Sequence, residues 1–485
     1  MSGCSSLIQE VQDWTGNRIE VVDDVTVTTD DDDDLSREGP EVKHPERIKS
    51  PKAHLKLDKI LKDEGRGKYA GEQFDKKKIN EALDLLPKGL TEEKVYAYLL
   101  GLVGENYYKE TDLLDEIAHS SYDKQFVFFQ KDKQQRKNEK SSSSKAGALN
   151  VVFLVDASNS MNNPLDGKKK IQLAKEAALT LAQKLPAGTF YTFRVYGRQS
   201  NDKSTSCLDS VKKVSTKLNG NLEQLSKALK SLQPKGWSPL SKALESAYQD
   251  LRANAKRNPV AHNMIFIISD NTDSCGKDPV VASKKLNAAS DVKAQIHFIG
   301  LDVNEEAEKD FKKITEVSNG NFEIVSNQAE LKQVLNLHTE EILRLDEPWQ
   351  MKATDKITRN YVSDKSRLQH HVEKISNKVQ QEFERLSEAN QYIKDKQKID
   401  GEDWQKLNHM IDDRRNKVEK YADDRLQQIS SKLDQEFKSQ TQKIMKSWSS
   451  EGKDVQTLEA RKNARLKALK KPQNQSNEPM DSNNE

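Results

Sequence analysis

The chain has three cysteines in 485 residues, 6% aromatic residues and a formal net charge of only +2. It also has no apolar run near the ~20 residues that a membrane-spanning helix requires. Each shortage excludes something. Three cysteines cannot build the dense disulfide framework of a small secreted scaffold. Near-neutrality, with 79 basic against 77 acidic residues, gives no global attraction to nucleic acid, and no nucleic-acid partner is expected. Catalytic signatures are missing too: there is no P-loop, no G-x-S-x-G and no H-E-x-x-H. The nine histidines do not cluster with carboxylates at ligand spacing, and the adjacent His370 and His371 are expected on a helix surface. A Ser158 nucleophile would have no visible base, so a non-enzymatic role is expected.

Hydrophobic residues at 34% against charged residues at 32% imply a core in only part of the chain. Residues 1–54 mix the alternating patch IEVVDDVTV with the acidic run Asp30 to Asp34 and read as a disordered spacer. From 55 to 136, Ile79, Leu83 and Leu86, then Val95, Tyr98, Leu99 and Leu102 beyond Pro87-Lys88-Gly89, recur at helical spacing and predict a small helical domain. KNEKSSSSKAG, 137–147, reads as a linker. From 344 to 471 the apolar positions step by three or four on both sides of Asp400-Gly401, predicting a long helical hairpin or coiled coil. Arg461, Lys462, Arg465, Lys467, Lys470 and Lys471 are expected to be solvated, and 472–485 is a polar tail.

Between 148 and 343 short apolar runs alternate with amphipathic segments. Strands are expected at 149–155, 190–195, 264–268, 296–299 and 322–325, and helices at 171–185, 222–232, 239–252, 279–288, 305–318 and 328–343. Such alternation predicts a doubly wound α/β fold with a mostly parallel sheet covered on both faces. Ligands of such sheets bind beyond the carboxyl ends of the strands. There VVFLV, Val151 to Val155, gives way to Asp156, Ser158 and Ser160 at every second position; GWSPL presents Ser238 at a helix start, and IFIISDNTDSC presents Asp270 past another buried strand. Two carboxylates and three hydroxyls at one sheet end suit a hard divalent cation, which takes about six oxygen ligands.

Asp156, Ser158, Ser160, Ser238 and Asp270, in this order, resemble the metal-ion-dependent adhesion site of von Willebrand factor type A domains. The resemblance implies Mg²⁺ or Mn²⁺ as the ion, with Ser158 and Ser160 as direct ligands, Ser238 as a hydroxyl ligand in some states, and the aspartates as direct or water-mediated ones. Two positions depart from the family pattern. Ser238 stands where Thr is usual, and Asn271 stands where a Gly commonly follows the aspartate, so a turn with Asn at positive φ is expected.

The count of cysteines leaves two options open: Cys207 and Cys275 paired with Cys4 carrying lipid, or a reduced pair in a cytosolic chain. Ser2, Gly3 and Cys4 match the end of a bacterial lipoprotein cleavage box, although a chance Gly-Cys fits as well. The wider pattern of RVYGR, SCLDS, KGWSPL, SDNTDSCGKDP and the N-terminal GKYAGEQFD is similar to von Willebrand factor type A surface lipoproteins of Gram-positive bacteria. That resemblance implies a Cys207–Cys275 disulfide, lipidation of Cys4 and a lipid-anchored location on the outer face of the cell membrane. The expected function is metal-dependent adhesion through a carboxylate of a protein or acidic envelope polymer. The alternative is a non-catalytic assembly factor, cytosolic or in the envelope, that holds partners with its helical hairpin.

Overall fold

A computed structural model describes residues 49–123, 126–129, 149–197, 202–209, 211–218, 222–230, 232–256, 261–288, 292–345 and 347–469. Cys4, the acidic run, the Ser-rich linker, Lys470, Lys471 and the polar tail lie outside them. The chain divides into two compact units, Met1–His119 with Ser366–Lys432, and Ser120–Lys365 with Leu433–Glu485.

The second unit holds a six-stranded sheet of β1 (Leu149–Asp156), β4 (Phe190–Tyr196), β5 (Lys212–Leu218), β6 (His262–Ser269), β7 (Ala294–Leu301) and β8 (Phe322–Val325), in the order β5-β4-β1-β6-β7-β8. All neighbours are parallel except the β4–β5 pair. A two-residue hairpin, β2 (Pro164–Leu165) with β3 (Lys168–Lys169), stands apart. β1 is central because its side chains are apolar on both faces. Val151, Phe153 and Val155 enter one core with α5 (Lys170–Gln183), α7 (Leu222–Lys230) and α11 (Gln328–Leu343). Val152 and Leu154 enter the other, with α8 (Leu240–Ala255), α9 (Pro279–Ala288) and α10 (Glu305–Ser318). The period-2 alternation of a strand thus feeds two layers of helices at once. Phe153 stacks between Phe193 and Phe266, at centroid distances of 4.4 and 5.6 Å.

Every strand expected from the sequence is present. The structure adds β5 and α6 (Lys203–Asp209), neither of which was anticipated. β5 reads KKVSTKL; as an edge strand it needs no continuous apolar run, and lysines there protect the open side.

The first unit gathers α1 (Leu57–Lys62), α2 (Lys76–Asp84), α3 (Glu92–Val103) and α4 (Tyr108–Ala118) with segments of the long helices α12 (Trp349–Asp395) and α13 (Gly401–Ser450). Ile79, Leu83, Leu99 and Val103 share one core with Leu386, Ala389, Ile393, Leu407 and Ile411. The segment 55–136 is therefore not a self-contained domain: its short helices bury their apolar faces against the hairpin. At the centre of this core Arg414 grips Glu382 in a two-pronged pair, at 2.9 and 3.0 Å, and Tyr107 donates to the same carboxylate at 2.7 Å. The GKYAGEQFD motif has a structural role. Gly67, Lys68 and Tyr69 donate to the carbonyls of Gly104, Gly101 and Leu102, and a Cβ on Gly67 would lie 2.6 Å from the Gly104 amide nitrogen.

Two further expectations are corrected. His371 is buried, because it lies on the inner face of α12. The basic C-terminal residues are not all solvated, since they form α14 (Val455–Leu469) in the second unit. There Arg465 is only 6% exposed and donates to Glu340 and Asp355, while Arg461 donates to Glu347 and Asp355.

Candidate functional site

Three loops meet beyond the carboxyl end of β1. Backbone hydrogen bonds fix them: Ala157 N–H donates to Tyr196 O, Lys235 N–H to Ala157 O, and Asn159 N–H to Gly236 O. The Ser238 amide donates to Ser274 Oγ at 2.7 Å, and the Ser274 amide donates back to Ser238 O. Gly197, at φ 79°, sits where a Cβ would come 2.8 Å from the Ser158 nitrogen and 3.0 Å from Trp237 O. Only glycine lets the end of β4 pass this close to both loops.

Within this frame the structure brings all five sequence-derived residues together. Asp156 Oδ1 accepts from the Ser158 amide at 2.7 Å, and its Oδ2 accepts from Ser238 Oγ at 3.3 Å. Ser158 Oγ and Ser160 Oγ are 3.2 Å apart, and Ser160 Oγ donates to Asp270 Oδ1 at 2.7 Å. Four of the five are at most 5% exposed. Burial, and after it the charge of Asp270, pushes the Asp156 carboxyl up to about 7. Burial also raises Asp270, against the opposing pull of Ser160 and Lys170.

Two residues were not found from the sequence. Ser269 Oγ donates to Asp156 Oδ2 at 2.6 Å, orienting that carboxylate from within the sheet. Lys170 places its ammonium 3.3 Å from Asp270 Oδ2. The alternation at the end of β6 was a signal for neither, and Lys170 is hidden in a run of three lysines. Asn271 is not at positive φ, contrary to expectation. Its amide donates to Ser269 Oγ and its side chain accepts from the Thr272 amide, so the turn is closed by side-chain hydrogen bonds and the missing glycine causes no strain.

Among the described residues no lysine or arginine pairs with Asp156. Two buried carboxylates and three hydroxyls make an oxygen-only donor set, and the single Lys170 ammonium beside them leaves it short of positive charge. That set fits a hard divalent cation, with Asp156, Ser158, Ser160, Ser238 and Asp270 as the residues to hold it. The rim is covalently stiffened: Cys207 of α6 is bonded to Cys275 of the loop that follows Asp270, with Cα atoms 5.6 Å apart.

A second buried polar cluster lies between the sheet and α11 and α12. His297 of β7, His338 and Glu341 of α11 bring potential ligand atoms within 4.8 Å of one another. Cations already match its carboxylates. Arg359 Nη1 lies 2.9 Å from Glu341 and 3.5 Å from Glu323, His338 Nε2 lies 3.1 Å from Glu323, and Lys356 donates to Asn321. Burial would lower His338, but Glu323 and Glu341 hold it above the usual histidine range; His297 is lowered by burial to about 3. Burial would raise the two carboxyls, yet the cationic neighbours hold both below their usual range.

Residues 150–337 match the family model of the von Willebrand factor type A domain. Two Bacillus subtilis (strain 168) proteins are similar over part of the chain. Uncharacterized protein YwmD is 28% identical over 194 residues, 39% of this chain and 84% of its own length. Uncharacterized protein YwmC is 26% identical over 203 residues, 40% of this chain and 85% of its own. A solved von Willebrand factor type A protein from Catenulispora acidiphila is 19% identical with a TM-score of 0.33, over 41% of this chain and 43% of that one, less than half its length.

Proposed function

Residues 150–337 of this chain are a von Willebrand factor type A domain, and from that premise we propose that the protein is a non-catalytic, metal-dependent binding protein of the bacterial cell surface. The observation that carries this reading is the donor set itself: Asp156, held by Ser158 and Ser238, and Asp270, held by Ser160, are both buried and are joined through the Ser158–Ser160 hydroxyl contact, and Asp156 has no described cationic partner. A bound Mg²⁺ or Mn²⁺ supplies a Lewis-acid position at which an outside carboxylate completes the coordination. The chain's own residues do the rest. Ser269 and the Ser158 amide orient Asp156, Ser160 orients Asp270, and the paired loop backbones keep Ser238 facing Asp156. The partner is then a protein segment or acidic envelope polymer that presents a carboxylate.

Calorimetric titration of the full chain with MgCl₂ and with MnCl₂ tests the site. Saturable binding that disappears in Asp156→Ala is expected; equal heats in the two proteins would refute it. Retention of native envelope fractions should be lost in EDTA. Lipid anchoring through Cys4 belongs to the same proposal, and mass spectrometry of the protein from its host should find a diacylglyceryl group there.

A scaffold role has one observation in its favour. α14 ties Arg465 to Glu340 of α11 and to Asp355 of α12 in one ionic cluster, so the helical C-terminal part is attached to the domain's last helix. If envelope capture survives EDTA but is lost when the tip of the hairpin is replaced, the scaffold reading holds and the metal reading does not.

A further inference from the structure

Lys168, Lys169 and Lys170 follow one another, yet only Lys170 is turned inward. Lys168 pairs with Glu176 at the surface, whereas the Lys170 side chain is 6% exposed. A lysine is seldom buried without a specific partner, because its ammonium must give up water. The local fold forces this burial. The Asp166-Gly167 turn, with both residues at positive φ, closes the β2–β3 hairpin, and the Lys170 amide donates to Asn163 O at 3.0 Å. That places Lys170 at the first position of α5, directly beside the Asp270 loop. Its ammonium touches three oxygens: Asp270 Oδ2 at 3.3 Å, Asp302 O at 3.1 Å and Asp302 Oδ2 at 3.2 Å. Asp270 Oδ1 is left to Ser160, on the side of the serine comb.

We propose that Lys170 is a tethered counter-ion that sets the cation affinity of the site: it holds Asp270 Oδ2 in the metal-free protein and opposes a divalent ion bound at Oδ1. This rests on the cation reading of the preceding subsection. Two carboxylates beside each other in a buried site repel, and with no positive charge the empty site would be strained or protonated. The Lys170 ammonium relieves that repulsion on one carboxylate only. An arriving ion meets a site whose net negative charge is one unit smaller, and it shares Asp270 with a neighbour of its own sign. The exposed Asp302 carboxylate partly offsets the ammonium, so the two residues act in opposite directions. A purely structural Lys170, by contrast, would keep the loops in place and help the ion to bind.

The test uses the full chain, titrated calorimetrically with MgCl₂ alone, together with thermal melts in EDTA and in saturating Mg²⁺. Lys170→Met is expected to melt earlier than wild type in EDTA, yet to bind Mg²⁺ about ten-fold more tightly, which widens the gap between the two melts. Lys170→Arg keeps the charge and should restore the wild-type affinity to within a few-fold. Asp302→Asn, altering a side chain that is 63% exposed, should fold normally and bind Mg²⁺ a few-fold more weakly. Unchanged or weaker Mg²⁺ binding in Lys170→Met, with wild-type affinity intact, overturns the proposal and leaves the cation reading standing. Should Lys170→Met fail to fold, an Asp302→Asn affinity equal to or tighter than wild type overturns it instead. No Mg²⁺ binding in any of the four proteins overturns both readings, whereas binding seen only in Lys170→Met supports the counter-ion.

Discussion

Two buried ionic clusters in the same unit are built on opposite charge balances. At the carboxyl end of β1 and β6, Asp156 and Asp270 face a single ammonium and several hydroxyls. Between the sheet and α11 and α12, Glu323 and Glu341 are matched by Arg359, Lys356 and a histidine raised toward its charged form. The second cluster is complete: its carboxyls are held below their usual range, and a cation entering among Arg359, Lys356 and His338 would be repelled. The first is incomplete: burial pushes both carboxyls up, and the Lys170 ammonium opposes this at Asp270 alone. Ligand geometry alone would have favoured the second cluster, with its two imidazoles. Charge accounting favours the first.

Substitutions in the two clusters should therefore separate. Arg359→Ala leaves the buried Glu323 and the partly buried Glu341 without their shared guanidinium and is expected to destabilise the protein by about 3–5 kcal/mol in urea unfolding, equally with and without Mg²⁺. Reduction of Cys207–Cys275, which closes a loop of sequence separation 68, should lower stability by about 2–4 kcal/mol. Asp156→Ala should act through Mg²⁺ alone. It removes a stabilisation of about 2.7 kcal/mol at an Mg²⁺ concentration 100 times the dissociation constant, and leaves the melt in EDTA unchanged or higher. Equal Mg²⁺-dependence in Arg359→Ala and Asp156→Ala would break the contrast.

The smallest effect is a pH dependence. His338 has a raised folded pKa, so its contribution is complete below the unfolded value of ~6.5 and is lost as pH rises through the folded value. Glu323 and Glu341 behave oppositely, contributing above ~4.3 and losing that contribution as pH falls through their lowered values. His338→Gln should flatten the stability profile on the alkaline side and leave the acid limb in place. A wild-type profile already flat between pH 6 and 9 would contradict the assigned direction.

Much of this was legible in the residues. The strands 149–155 and 322–325 and the helices 279–288, 305–318 and 328–343 follow from apolar periodicity, and the Asp156, Ser158, Ser160 comb follows from a buried strand ending in oxygen ligands. What escaped notice shares a cause. β5 and α6 are polar elements whose stability comes from partners distant in sequence, β4 and the Cys275 loop. Lys170 and Ser269 were missed because a one-dimensional pattern does not tell which lysine of three turns inward, or which hydroxyl beside an aspartate faces another strand. Asn271 shows the reverse error, since a conformation inferred from the residue that usually stands there was replaced by a hydrogen-bonded alternative. The independent helical domain failed for a similar reason: amphipathic helices announce that they need a cover without naming it.

The hydrogen at position 197 has a consequence for how the domain tolerates change. Because the strand end that carries Gly197 lies against both the Ser158 amide and the Trp237 carbonyl, two loops far apart along the chain share a single spacer that has no atom to spare. One added carbon here would wedge two walls of the oxygen cage apart. Around the oxygen cage, tolerance is therefore set less by depth of burial than by distance from that gap.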